Sequence, residues 1–194
     1  MRKKISGLLM LSLCFIMLFM SSNKVYADNN VFDSSVTVED LSKIDWINGT
    51  RIPNQEVVDL ALSQVGQQGG QPYWSYCGFS SRVDWCACFV YWCMRNTPSA
   101  TGSYPQSSNN AYCQTVANNL SSLGQFGHDN TIITTGDIIF FDCECDGHAD
   151  HIGIVIGKDN EKVYTVEGNS GDQVKIKSYN LGSSVIYGYG YLNY

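Results

Sequence analysis

Three short segments carry a thiol, an imidazole and a pair of polar groups, in that chain order. Cys86 lies in Asp84-Trp85-Cys86-Ala87-Cys88-Phe89-Val90-Tyr91-Trp92-Cys93. His151 opens the apolar run His151-Ile152-Gly153-Ile154-Val155-Ile156. Glu167 and Asn169 fall in Glu167-Gly168-Asn169-Ser170-Gly171-Asp172. These are the parts of a cysteine hydrolase: a thiolate attacks an amide carbonyl, the imidazole takes and returns the proton, and a third group holds the ring. Of the three histidines, His128 (Gly127-His128-Asp129) and His148 (Gly147-His148-Ala149) occupy polar loop and turn sequences. Only His151 begins an apolar strand, so it is the best base on position.

The elements that must position these groups follow from local pattern. Asp84 is a good N-cap, which predicts Cys86 as the second residue of a helix. Cys86, Phe89, Val90 and Cys93 recur at i, i+3, i+4 and i+7, so that face is expected to be buried. In the first turn, unpaired N–H groups and the helix dipole favour a thiolate. A hairpin turning near residue 160 brings the start of one strand opposite the end of the next. His151 then faces Glu167 and Asn169, which are two apart and share a strand face. An odd-length turn of three or five residues would place His151 on that same face.

Around this lies an α+β pattern. Pro53-Asn54 opens a helix whose apolar residues Val57, Val58, Ala61, Leu62 and Val65 keep the helical period, with Gly66 past its end. Residues 66–79 read as a Gly- and aromatic-rich loop. A further helix is expected near 111–123, and strands over 138–141, 152–156, 163–167, 174–177 and 185–192. Helices first and an antiparallel meander second make one domain.

The N-terminus supplies a compartment. Arg2, Lys3 and Lys4, an apolar run from Leu8 to Met20, and Val25-Tyr26-Ala27 have the layout of a cleaved signal peptide over 1–27. The run is shorter than the about 20 residues of a bilayer span. The expectation is therefore a secreted or cell-wall protein beginning at Asp28, with no stable membrane insertion after cleavage. Residues 28–52 form a polar lead-in and 53–194 the catalytic domain. Removing four basic residues with the signal takes the formal charge from −6 to −10. An acidic body of that kind is a poor nucleic-acid binder.

The mature chain keeps seven cysteines: Cys77, Cys86, Cys88, Cys93, Cys113, Cys143 and Cys145. An odd count in a secreted chain leaves one thiol over. With Cys86 as that thiol, up to three disulfides are expected, Cys77 with Cys143 or Cys145 and Cys93 with Cys113 being the plausible pairs. A different class of function is a structural module without catalysis, either disulfide-rich or with Cys86-x-Cys88 and Cys143-x-Cys145 around zinc. Against the zinc module, positions i and i+2 of a helix point apart. Asp142-x-Glu144-x-Asp146-Gly147 mimics the start of a calcium loop but lacks a twelfth-position Glu, Gly153 standing there. It reads as a solvated turn.

The chain resembles the CHAP domain, the cysteine/histidine-dependent amidohydrolase/peptidase family of peptidoglycan hydrolases. The resemblance runs from about residue 57 to the C-terminus. It rests on Gly69-Gly70, Trp85-Cys86-Ala87-x-Phe89-Val90, Gly136-Asp137-Ile138-Ile139-Phe140-Phe141, His151-Ile152-Gly153-Ile154-Val155 and Glu167-Gly168-Asn169. It implies a papain-like fold, N-terminal helices packed on a C-terminal antiparallel sheet. It also implies Cys86 as nucleophile, His151 as base, Glu167 as the residue orienting it and Asn169 as a polar helper. The implied substrate is an amide of bacterial peptidoglycan; no cofactor or metal is expected. NlpC-type wall peptidases share the Cys-then-His order, but Trp85-Cys86-Ala87 and Glu167-Gly168-Asn169 favour the CHAP pattern.

Overall fold

Asn54 caps the first helix, its side-chain oxygen accepting from the Val57 N–H at 3.2 Å. The helix that follows, α1 (Gln55–Ser63), buries Val57, Val58, Ala61 and Leu62, as its period predicts. The computed structural model describes residues 51–52, 54–105 and 110–194. The expected signal peptide and almost all of the lead-in, like Pro53, lie outside the described residues.

The aromatic segment expected to be a loop contains a short helix, α2 (Gln71–Tyr76). Pro72 near its start has a backbone already suited to a first helical turn, and Tyr73 is buried against Trp85 in a stacked contact of 5.4 Å. Next comes α3 (Cys86–Asn96), then α4 (Cys113–Ser122) within the expected range. The strands are β1 (Phe126–Gly127), β2 (Ile138–Phe141), β3 (His151–Lys158), β4 (Lys162–Glu167), β5 (Lys175–Asn180) and β6 (Ile186–Gly190).

The strands form one antiparallel sheet in the order β1-β6-β2-β3-β4-β5. Strands β2 to β5 are the expected meander. β6 departs from it, returning to the far side of β2, where the two-residue β1 joins it. Val57, Ala61, Phe89 and Val90 from the helices pack with Ile152, Ile154 and Val166 in the main core. A smaller cluster holds Ile139, Phe141, Val155, Val163 and Tyr189. Helix α3 packs on β3 and β4, the two strands that carry His151 and Glu167. Asp137, fully buried just before β2, pairs with Arg51 and accepts from the N–H groups of Thr134 (2.8 Å) and Leu192 (3.0 Å). It thereby ties the sheet's central strand to the C-terminal segment.

Candidate active site

The face shared by His151 and Glu167 is produced by a bulge, not by the turn. The outermost ladder pair of the β3–β4 hairpin is Lys158 with Val163, and the Asp159 N–H donates to the Lys162 carbonyl at 3.0 Å across the reversal. That leaves an even number of residues between paired strands, a parity that would send His151 and Glu167 to opposite faces. Between Val155 and Gly157 the register slips by one, so that Ile154 pairs with Val166. The extra residue restores the parity an odd turn would have given. It also sets Gly153 opposite Glu167, with His151 as the diagonal neighbour.

The diagonal reach depends on Gly153. A Cβ there would stand 2.8 Å from Glu167 Cγ, so the carboxylate side chain crosses the strand over a position that has no side chain. Glu167, fully buried, accepts from His151 Nε2 at 2.9 Å and from the Tyr179 hydroxyl at 3.1 Å through one oxygen. Its other oxygen accepts from the Thr165 hydroxyl at 2.7 Å. A buried carboxylate is tolerable because it is paired and hydrogen-bonded in this way. With Nε2 occupied, Nδ1 is the ring nitrogen left for the thiol.

Cys86 is the first residue of α3, one place earlier than Asp84 as N-cap would have set it. The N-cap is Trp85, non-helical at φ −119° and without a side-chain cap bond, and the Phe89 N–H closes the first helical bond on its carbonyl at 2.9 Å. Burial of the Trp85 ring fixes where the helix begins. Gly168 permits the closeness of the third segment, since a Cβ there would come within 2.4 Å of Phe89 Cβ and 2.9 Å of Trp85. Cys86 is 6% exposed. Its thiol is held down to about 5 by a hydrogen bond with Cys113, against the opposing effect of burial, with further help from His151 and the Ala87 N–H. Burial opposes charge on His151, but the hydrogen bonds its ring donates to Cys86 and Glu167 outweigh it and raise the imidazole to about 10. Both shifts favour a thiolate paired with an imidazolium.

Asn169 stands apart from this chain of contacts. Strand β4 ends at Glu167, and Asn169 turns into the left-handed region at φ 59°, where its amide donates to Asp84 at 3.1 Å. The expected common strand face for Glu167 and Asn169 therefore stops short of Asn169. Asn169 instead clasps Asp84, two residues before the start of α3. His148 is exposed in its turn, and His128 packs edge-on to Phe126 at 5.5 Å.

The cysteines are arranged differently from the expected disulfides. All seven described cysteines are free thiols. Cys77 is hydrogen-bonded to Cys88, and Cys113 lies 3.6 Å, sulfur to sulfur, from Cys86 and not beside Cys93. Cys143 and Cys145 are exposed in the 142–150 turn. The two C-x-C pairs are not gathered, and among the described residues no group of three His, Cys, Asp or Glu is disposed to hold a metal ion. In the calcium-like segment, Asp142 accepts from the N–H groups of Asp146 and Gly147, and Asp146 from that of His148. The carboxylates serve the turn itself.

A papain-like α+β domain, with helices before an antiparallel sheet and a Cys–His–Glu chain at one end of it, is the class these features define. Residues 78–169 match the family model of the CHAP domain. The match is narrower than the sequence resemblance, leaving Gly69-Gly70 and residues 170–194 outside it. Among solved structures, that of Ly7917 is similar at 18% identity and a TM-score of 0.50, over 73% of this chain and 63% of that one. A structure of Ly7917 with the hydrolyzing product of MDP aligns at 17% identity and a TM-score of 0.46, over 70% and 61%. The chain thus spans less than two thirds of the length of either. No curated protein matches the sequence.

Cys86, His151 and Glu167 were each recognisable by residue type and order. Cys113, Thr165, Tyr179 and Gly153 were not. Gly153 could have been found once the register was known, as the residue opposite Glu167 in a His-x-Gly run. Nothing local marks Cys113.

Proposed function

We propose that the protein is a cysteine hydrolase that cleaves an amide bond of bacterial peptidoglycan, either the muramoyl–L-alanine amide or a peptide bond of the stem or cross-bridge. The observation that carries this reading is the continuous Cys86–His151–Glu167 chain inside a CHAP domain. The Cys86 thiolate attacks the carbonyl carbon, and the carbonyl π pair moves onto oxygen. The N–H groups at the start of α3, which lack acceptors within the helix, are the natural donors for that oxyanion. The His151 imidazolium gives its Nδ1 proton to the leaving nitrogen as the C–N bond breaks. The neutral imidazole then takes a proton from water, which attacks the thioester and releases the acid and the thiolate. Glu167 stabilises the imidazolium and fixes which nitrogen meets the thiol.

The same reading makes the protein secreted, through removal of residues 1–27 as a signal peptide, and places it at a cell wall with peptidoglycan as its partner. Mass spectrometry of fragments released from purified peptidoglycan tests the reaction. New glycan-free peptides with a free L-alanine amine would identify an amidase, and shortened stems or opened cross-bridges an endopeptidase. Purified wall left intact by folded protein would reject the proposal.

A further inference from the structure

The start of α4 brings a second thiol to the nucleophile. Cys113 is the first residue of that helix, as Cys86 is of α3, and the two sulfur atoms lie 3.6 Å apart. Both are almost wholly buried, at 6% and 7% exposure, so water does not compete well for this contact. We infer that Cys113 is a positioning residue for the reaction, a thiol that donates its hydrogen to the Cys86 sulfur and holds it as the thiolate. This rests on the reading of Cys86 as nucleophile.

Two thiols at this distance can share one hydrogen bond, and the surroundings decide which keeps the proton. The Cys86 side is faced by the His151 imidazole and by the Ala87 N–H, both of which favour negative charge; the Cys88 thiol also lies near. On the Cys113 side stand the Asp150 carboxylate and the Tyr104 hydroxyl, and the negative charge of Asp150 disfavours a second anion. Charge therefore settles on Cys86 and the proton on Cys113. The Cys113 thiol is pushed well above its usual range, first by its hydrogen bond to Cys86 and then by burial. Without that donor, the thiolate would keep its desolvation cost and lose a directed partner. When Cys86 bonds to a carbonyl carbon its negative charge is lost and the contact weakens, so Cys113 acts on the resting state and is not itself consumed.

The test is a pH titration of the Cys86 thiolate in reduced full-length protein. It follows the difference in thiolate ultraviolet absorbance between each protein and the same protein carrying Cys86→Ser. The backgrounds are wild type, Cys113→Ala and Cys113→Ser, with folding checked by circular dichroism. The wild-type midpoint should lie near 5. In Cys113→Ala it should rise by about one pH unit or more, a tenfold loss of thiolate at acidic pH. Cys113→Ser restores a donor and should recover most of the shift, which a purely space-filling role for Cys113 would not produce. An unchanged midpoint in folded Cys113→Ala, or equal shifts in the Ala and Ser proteins, would overturn the inference. No substrate enters this measurement, so its outcome is separate from whether the protein cleaves peptidoglycan.

Discussion

Gly153→Ala should disable the site from a residue that touches no substrate. The added Cβ would sit 2.8 Å from Glu167 Cγ, with the Val166 carbonyl at 3.3 Å and an Ile139 methyl at 3.5 Å closing other escape routes. Comfortable carbon–carbon contact is about 3.5 Å, so the Glu167 side chain must give way by about 0.7 Å. Carried straight away from the ring, its bond to His151 Nε2, now 2.9 Å, would open to at most about 3.6 Å, beyond hydrogen-bonding range. The ring would lose its orientation while the carboxylate stayed close by. A displacement of this size costs on the order of 100-fold in rate. Overpacking should cost about 1–3 kcal/mol of stability. The assay is initial clearing of purified peptidoglycan with urea unfolding alongside, at a temperature where the variant is fully folded. Full activity in a folded Gly153→Ala protein would refute the argument that the missing side chain lets Glu167 reach the base.

Activity should follow a bell in pH. It should fall below about 5 as Cys86 takes a proton and above about 10 as His151 loses one, measured as kcat/KM on solubilised peptidoglycan. His151→Ala should lower the rate by about 100-fold or more, whereas His128→Ala and His148→Ala should stay near wild type in the same assay. Glu167→Gln should cut activity and pull the upper limb of the bell downward, because the neutral amide no longer favours the imidazolium. Glu167→Ala should do worse, leaving Thr165 and Tyr179 without their acceptor. Asn169→Ala should cost less than either, since its amide bonds Asp84 and not the imidazole; a dead Asn169→Ala beside an active Glu167→Ala would reverse those roles.

What was legible in the sequence was chemistry carried by residue type and order. Cys86 at a helix start, His151 at a strand start and Glu167 at a strand end each carry a local signature, and periodicity alone located α1, α3 and the central strands. What was not legible depended on packing between distant segments. Asp84 has the better capping side chain, yet the buried Trp85 ring sets the start of α3 and leaves Asp84 to hold Asn169. The hairpin's parity comes from a bulge near residue 156, where Gly157 beside the slip is a local mark that does not by itself give the change of register. Cys113 meets Cys86 and not the expected Cys93 because α4 docks its first residue against the first residue of α3, a relation between helices that neither sequence records. The aromatic segment before α3 reads as a loop because it is rich in Gly and aromatic residues, but Pro72 stands where a helix can begin.

The most direct test of the account compares Cys86→Ser with Cys88→Ser, two buried thiols two residues apart on one helix. Both proteins should fold, and the release of soluble fragments from purified peptidoglycan should be followed at neutral pH. Cys86→Ser should lose activity by on the order of 1,000-fold or more, because the serine hydroxyl in place of the thiolate is a far weaker nucleophile. Cys88→Ser should retain most of it, because Cys88 bonds Cys77 and not His151. An active Cys86→Ser protein, or an inactive but folded Cys88→Ser beside it, would contradict the assignment of Cys86 as the nucleophile.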